Sequence, residues 1–168
     1  LALGLGVCTA VFTFVNAAPI PGLPFDDPDR IVSLGSMDAR GRNLGISRDD
    51  FRDWNEGSKS FSGLAIFLGA PMNISEDAVA AEQVQGTYGS ANLFQLIGQK
   101  PVMGRDFAPN DDRPEGEPVV IISNGIWKSR YGGDPNILGR VIPINSLPCT
   151  IIAVMGAAMK FPLNNENW

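Results

Sequence analysis

The side chain that most often carries enzymatic chemistry is missing altogether: the 168 residues contain no histidine. Without an imidazole, neither a Ser-His-Asp nor a Cys-His relay can be assembled from the chain's own residues, and the commonest metal ligand is absent. Two cysteines remain, Cys8 and Cys149, each in apolar surroundings and neither with a CxxC neighbour. That spacing supports neither a zinc site nor a thioredoxin-type couple. A Cys8–Cys149 disulfide is disfavoured, because Cys8 belongs to a long uncharged segment.

Carboxylates are the other candidates for chemistry. They cluster at positions 26 to 29, 49 to 53 and 110 to 117. None of these clusters has the alternating acidic spacing and closing Glu of a calcium loop. Turn and helix-cap roles account for the first two, and a solvated loop accounts for the third. No pair stands out as the acid and base of a glycosidase. Gly4-Leu5-Gly6 looks like the start of a dinucleotide fingerprint, but the third glycine position holds Thr9 and no strand precedes it. No Walker A pattern occurs. The net charge of -5 leaves no basic footprint for nucleic acid. The expectation is therefore no catalytic, cofactor-binding or metal-binding residue, and no cofactor. Arg105, between Gly104 and Asp106, is the charged residue expected to be held structurally, in a buried or half-buried ion pair.

The elements that would position such residues begin with the uncharged segment. Residues 1–18 carry no charge and no proline, and the first charged residue is Asp26. As a helix this segment would be about 27 Å long, just short of a hydrocarbon core of about 30 Å. Gly4, Gly6, Thr9 and Thr13 suit helix contacts in a membrane. Pro19, Pro21 and Pro24 then stop the helix. Residues 1–18 are thus expected to be the end of a first transmembrane helix and 19–30 a proline-rich exit from the membrane. A signal peptide ending near Ala17, or a buried helix, are the alternatives.

Beyond the prolines, Ile31-Val32-Ser33-Leu34 is expected to start a strand, and 38–45 to be loop. Ser47 is placed to cap a helix running through Phe51 and Trp54 to about Gly57. Phe61, Leu64, Ile66 and Phe67 suggest a strand or buried segment closed by Gly69 and Pro71. Further strands are expected from Val79 to Tyr88 and, as a central strand, over Val119-Val120-Ile121-Ile122. A short helix from Leu93 to Ile97 and another carrying Ile126, Trp127 and Tyr131 should end at Gly98 and Gly132. Val141 to Ile144 and Cys149 to Val154 read as a hairpin around Asn145-Ser146. The class is α+β, a mixed sheet with short packing helices. Trp54, Phe61, Phe67, Phe94, Phe107, Trp127 and Tyr131 are expected in the core.

Taken in order, these residues resemble the MacB-like periplasmic core domain of ABC-transporter permeases of the macrolide-exporter and lipoprotein-release type, in its acidobacterial permease form. The resemblance rests on Leu23-Pro24-Phe25 with Asp27-Pro28-Asp29-Arg30, then Asp50-Phe51 and Asp53-Trp54. It continues in Ser90-Ala91-Asn92-Leu93-Phe94, Gly104-Arg105-Asp106-Phe107 and Gly132-Gly133-Asp134-Pro135. Gly139-Arg140 and Thr150 to Met155 complete the series.

The resemblance implies that residues 31–168 are the first, truncated part of an extracytoplasmic domain of a permease in the bacterial inner membrane. That domain would relay conformational change and contact partners or substrate during export, without being an enzyme. ATP hydrolysis would reside in a cytoplasmic ABC ATPase. Other implied partners are a second permease copy, periplasmic proteins, and membrane lipid around residues 1–18, with no nucleic acid. The alternative is a secreted, non-enzymatic binding or scaffold module released from its signal peptide.

Overall fold

The computed structural model describes residues 30–32, 34, 40, 46–76, 79–111 and 116–159. The expected membrane helix at 1–18, the exit up to residue 29 and most of the 38–45 loop lie outside the described residues. Among the described residues, no helix is long and apolar enough to cross a membrane.

Helix α1, Arg48–Gly57, starts where Ser47 was expected to cap it. The Asp50 amide donates to Ser47 Oγ at 3.1 Å, and the Asp50 carboxylate accepts from the Ser47 amide at 3.3 Å. This reciprocal box satisfies two amides that the first helical turn leaves without partners. Asp49 and Asp50 also sit where the helix dipole favours negative charge.

A long antiparallel hairpin follows: β1, Phe67–Glu76, and β2, Val79–Gly89. Gly69 and Pro71 were expected to end a strand, yet both lie inside β1. Asn73 bonds Asn145 through both its amide and its carbonyl, so odd positions of β1 point away from β2. Pro71 therefore turns its missing N–H toward an edge that, among the described residues, no other strand pairs there, the position where a strand tolerates proline. Ile31, Val32 and Leu34 are not in a strand, contrary to expectation. An apolar tetrapeptide carries β propensity, but a strand needs a neighbour to bond.

The remainder is α2, Leu93–Leu96; β3, Met103–Gly104; β4, Val119–Ile122; α3, Asn124–Tyr131; β5, Val141–Ile144; and β6, Leu147–Val154. The β5–β6 turn is made by Asn145 at φ 49° and Ser146 at φ 68°, the left-handed pair that a tight two-residue hairpin requires. Among the described residues, six strands form one mixed sheet, in the order β2-β1-β5-β6-β3, with β4 parallel to β6. β6 is its hub. It pairs β5 over its first half, β4 from Thr150 onward, and β3 at Ala153 and Val154. β4 was expected to be central, but among the described residues it pairs with β6 alone.

The core gathers Ile74, Ile122, Tyr131, Ile137, Ile142, Ile151 and Val154 on one face of the sheet beneath α3. Trp127 packs against it, and its indole N–H donates to the Asp134 carbonyl at 2.9 Å. Phe61 and Phe67, expected inside, are exposed. Phe67 falls on the face of β1 opposite Met72 and Ile74, so strand alternation turns it to solvent.

Candidate functional site

Two features stand apart from ordinary core packing. The first is a polar clasp at the closed end of the β1–β2 hairpin. Glu76, the last residue of β1, has a side chain only 11 % exposed and receives three donors. Arg140 Nη2 lies 2.7 Å from its Oε1, while Tyr131 OH at 3.0 Å and Arg130 Nε at 3.3 Å share its Oε2.

The Arg130 side chain is almost fully buried, at 2 % exposure. Its Nη1 reaches across to β2, donating to the Ala80 carbonyl at 3.1 Å and to Glu82 Oε2 at 3.2 Å. Its Nη2 is buried with no hydrogen-bond partner among the described residues. The Arg140 guanidinium also stacks over the Tyr131 ring, 5.0 Å from the centroid. The clasp thus joins the end of α3 and the loop before β5 to both strands of the hairpin.

Local chemistry places these donors. The Ser123 hydroxyl accepts from the Ile126 amide to start α3, and Gly132, at φ 62°, ends it immediately after Tyr131. Arg130 and Tyr131 therefore leave the last turn of the helix toward the hairpin. Burial alone would push the Glu76 carboxyl up. The hydrogen bonds from Arg140, Tyr131 and Arg130 outweigh it and hold the carboxyl below its ordinary value. Burial, together with the Glu76 carboxylate, pushes the Tyr131 hydroxyl up.

The second feature is an open trough of roughly 770 Å³ along the same face of the sheet. Met72, Val84, Ile142, Leu93, Phe94 and Phe107 are among its lining residues. Phe94 and Phe107 stack with centroids 6.0 Å apart. The apolar face continues outward through the cross-strand pair Leu68 and Tyr88, both exposed. Glu82, Gln83, Gln85 and Ser129 also line it, but aliphatic and aromatic walls predominate, which suits contact.

Arg105 is held as expected, in a forked pair with Asp111: Nη1 to Oδ2 at 2.6 Å and Nη2 to Oδ1 at 3.3 Å. Asp111 also accepts from the Ala108 amide at 2.7 Å, so the pair closes the loop that follows β3. The Arg105 hydrogen bonds hold the Asp111 carboxyl below its ordinary value, whereas burial pushes Asp106 up. In the second acidic cluster, Asp49 and Asp50 serve α1. The cluster at 26 to 29 lies outside the described residues. Among the described residues, no group of three His, Cys, Asp or Glu could hold a metal ion. Burial pushes the Cys149 thiol up, away from the thiolate that a nucleophile needs.

The sign of these shifts fixes a pH response. A carboxyl depressed in the folded state contributes stability that is complete above its ordinary value and lost as pH falls through the folded one. For Glu76 and Asp111 the ordinary values are 4.5 and 3.8. The groups facing Glu76 are Arg130 and Tyr131 from α3, Arg140 from the loop before β5, and Glu82 from β2. Denaturant midpoints of the wild-type protein should stay level near neutrality and fall below about pH 4.5. In Glu76→Gln the acid slope should be shallower, and an unchanged slope would show that Glu76 contributes none of it.

None of the clasp was singled out as a site by its local sequence. Arg140 and Tyr131 figured only as a motif residue and an expected core residue. Glu76 and Arg130 lie 54 positions apart, and only the fold brings them together.

Comparison with known proteins agrees with this architecture. The extracellular domain of the noncanonic ABC-type transporter YknZ from Gram-positive bacteria superposes with TM-score 0.58 at 16 % identity, over 66 % of this chain and 57 % of that one. The periplasmic region of MacB from Actinobacillus actinomycetemcomitans superposes with TM-score 0.57 at 17 % identity, over 71 % of this chain and 55 % of that one. At these identities the likeness establishes the fold. In sequence, the chain is 38 % identical over 65 residues to the macrolide export ATP-binding/permease protein MacB of Burkholderia thailandensis. That match covers 39 % of this chain and 10 % of the relative, so the chain corresponds to a small part of it. The model of the MacB-like periplasmic core domain matches residues 1–167, essentially end to end, and the chain belongs to that family.

Proposed function

We propose that this chain is part of the extracytoplasmic domain of an ABC-transporter permease in the bacterial inner membrane, relaying conformational change during export. The observation that carries the reading is the family match across residues 1–167. The absence of histidine, the raised Cys149 thiol and the apolar trough support a mechanical and contact role over a catalytic one.

In this reading residues 1–18 end a transmembrane helix and 19–30 leave the membrane. ATP is hydrolysed on the cytoplasmic side, by a domain of the same polypeptide or by a separate subunit. Helix movement driven by nucleotide would be passed to the α+β body as a rigid unit. A second permease copy and periplasmic proteins are the partners that such a body would meet.

The test uses the full-length permease with its ATPase, reconstituted in lipid. Replacing residues 46–159 by a flexible linker should abolish export and reduce export-coupled ATP hydrolysis by about tenfold or more, as expected for loss of a coupling element. Unchanged export and hydrolysis would overturn the reading. So would a mature, membrane-free protein beginning at Ala18, which would identify a secreted module instead.

A further inference from the structure

The β1–β2 hairpin is bound to itself far more than to the rest of the domain. Nine register pairs join β1 to β2, from Phe67↔Gly89 to Glu76↔Val79, whereas one, Ile74↔Ile144, joins β1 to β5. Among the described residues, the hairpin gives the buried cluster one member, Ile74, with Val84 packed against it, while the other six members come from elsewhere in the domain. What supplements that thin apolar contact is polar: the Asn73–Asn145 bonds and the Glu76 clasp.

A polar attachment of this kind differs physically from a packed one. Apolar packing is short-ranged and loses strength as a void opens, but it carries no buried charge to be left unpaired. A buried guanidinium is stabilised only while its carboxylate is in place. Arg130 is in that position, with its Nη2 buried and unpartnered among the described residues even in the closed state. The carboxylates it uses lie one on each strand, Glu76 on β1 and Glu82 on β2. Release of the hairpin would let the buried Glu76 carboxylate and the guanidinium reach water together, while Glu82 is already half exposed.

We infer that the β1–β2 hairpin is a separately releasable arm of the domain, latched to α3 and the loop before β5 by the Glu76 clasp. The arm carries the exposed Leu68 and Tyr88 and the Met72 and Val84 side of the trough. Opening the latch would change the shape of that apolar face without unfolding β4, β5 or β6. The inference does not rest on the transport reading, and its test involves no transport.

Hydrogen exchange of the full-length protein, followed by peptide, measures it. In Glu76→Gln, amides of residues 67–76 and 79–89 should exchange about tenfold faster or more, while amides of 119–122 and 147–154 change less than about twofold, the pattern of sub-global opening. Should Glu76→Gln fail to fold, Arg140→Gln gives the same readout. The Arg140 side chain is 44 % exposed, and its loss removes the 2.7 Å bond to Glu76 while leaving Arg130 paired. It should accelerate the hairpin about threefold, again with β4 and β6 nearly unchanged. Acceleration of hairpin and β4–β6 amides together would mean that the clasp is a general structural tie. No acceleration in either variant would mean that it does not hold the hairpin. Either result overturns the inference.

Discussion

Gly104→Ala is expected to cost roughly 3–5 kcal/mol of folding stability, combining a left-handed backbone with a backbone collision. Gly104 has φ +84°, and a Cβ there would stand 2.1 Å from the Ile152 carbonyl oxygen and 2.8 Å from the Ala153 Cα. Neither neighbour can withdraw easily. The Ile152 carbonyl accepts the Arg105 amide at 3.1 Å, and Ala153 is fully buried in β6. β3 is only two residues long, so the collision falls on half of its pairing. Gly132 supplies the control. It also has positive φ, +62°, but a Cβ there would meet nothing within 4 Å. Gly132→Ala should therefore cost only the conformational penalty, about 1 kcal/mol. Denaturant unfolding of the two purified variants separates the contributions. Equal losses would mean that β3 does not lie as close to β6 as described.

What the sequence revealed and what it hid divide along a physical line. The helix start at Ser47, the helix end at Gly132 and the turn at Asn145-Ser146 were legible because a cap or a tight turn is made by a few adjacent residues. The strands at 79–88 and 119–122 were legible from β-favouring and apolar side chains. Their neighbours were not. Val119 to Ile122 read as a central strand because four apolar residues suit burial on both sides, yet among the described residues the strand has one partner, β6. Pro71 read as a terminator because its acceptability depends on which edge of β1 is open, and that is decided by where β5 stops. Phe61 and Phe67 were assigned to the core on residue type alone, and strand alternation placed Phe67 outside. The clasp was least legible of all. Glu76, Arg130 and Arg140 are ordinary charged residues in sequence, and their roles come from contacts between residues 54 and 64 positions apart. The family was legible for the opposite reason: many weak local matches in a fixed order carry information that no single residue does.

Ile151→Ala should cost about 2–5 kcal/mol, the range for deleting a fully buried aliphatic side chain that its surroundings cannot collapse onto. The site is poorly placed to collapse. Ile151 is completely inaccessible, and its backbone is fixed on both counts, its amide donating to Arg140 and its carbonyl accepting from Gly139. It also pairs with Val120 across the parallel contact to β4, at the point where the register shifts. A void there touches β4, β5 and the underside of α3 together. Leu147, on the same strand, is the natural comparison. It is exposed at the hairpin end, so Leu147→Ala should stay within about 0.5 kcal/mol of wild type. The contrast bears on function as well as stability. If the α+β body passes movement onward as a unit, its stiffness must come from the strand that joins the most others, and among the described residues that is β6, which pairs with β3, β4 and β5. Ile151→Ala should then loosen all three strands, seen as faster amide exchange in each, whereas Glu76→Gln frees only the hairpin. Comparable unfolding losses for Ile151→Ala and Leu147→Ala would remove β6 from that role.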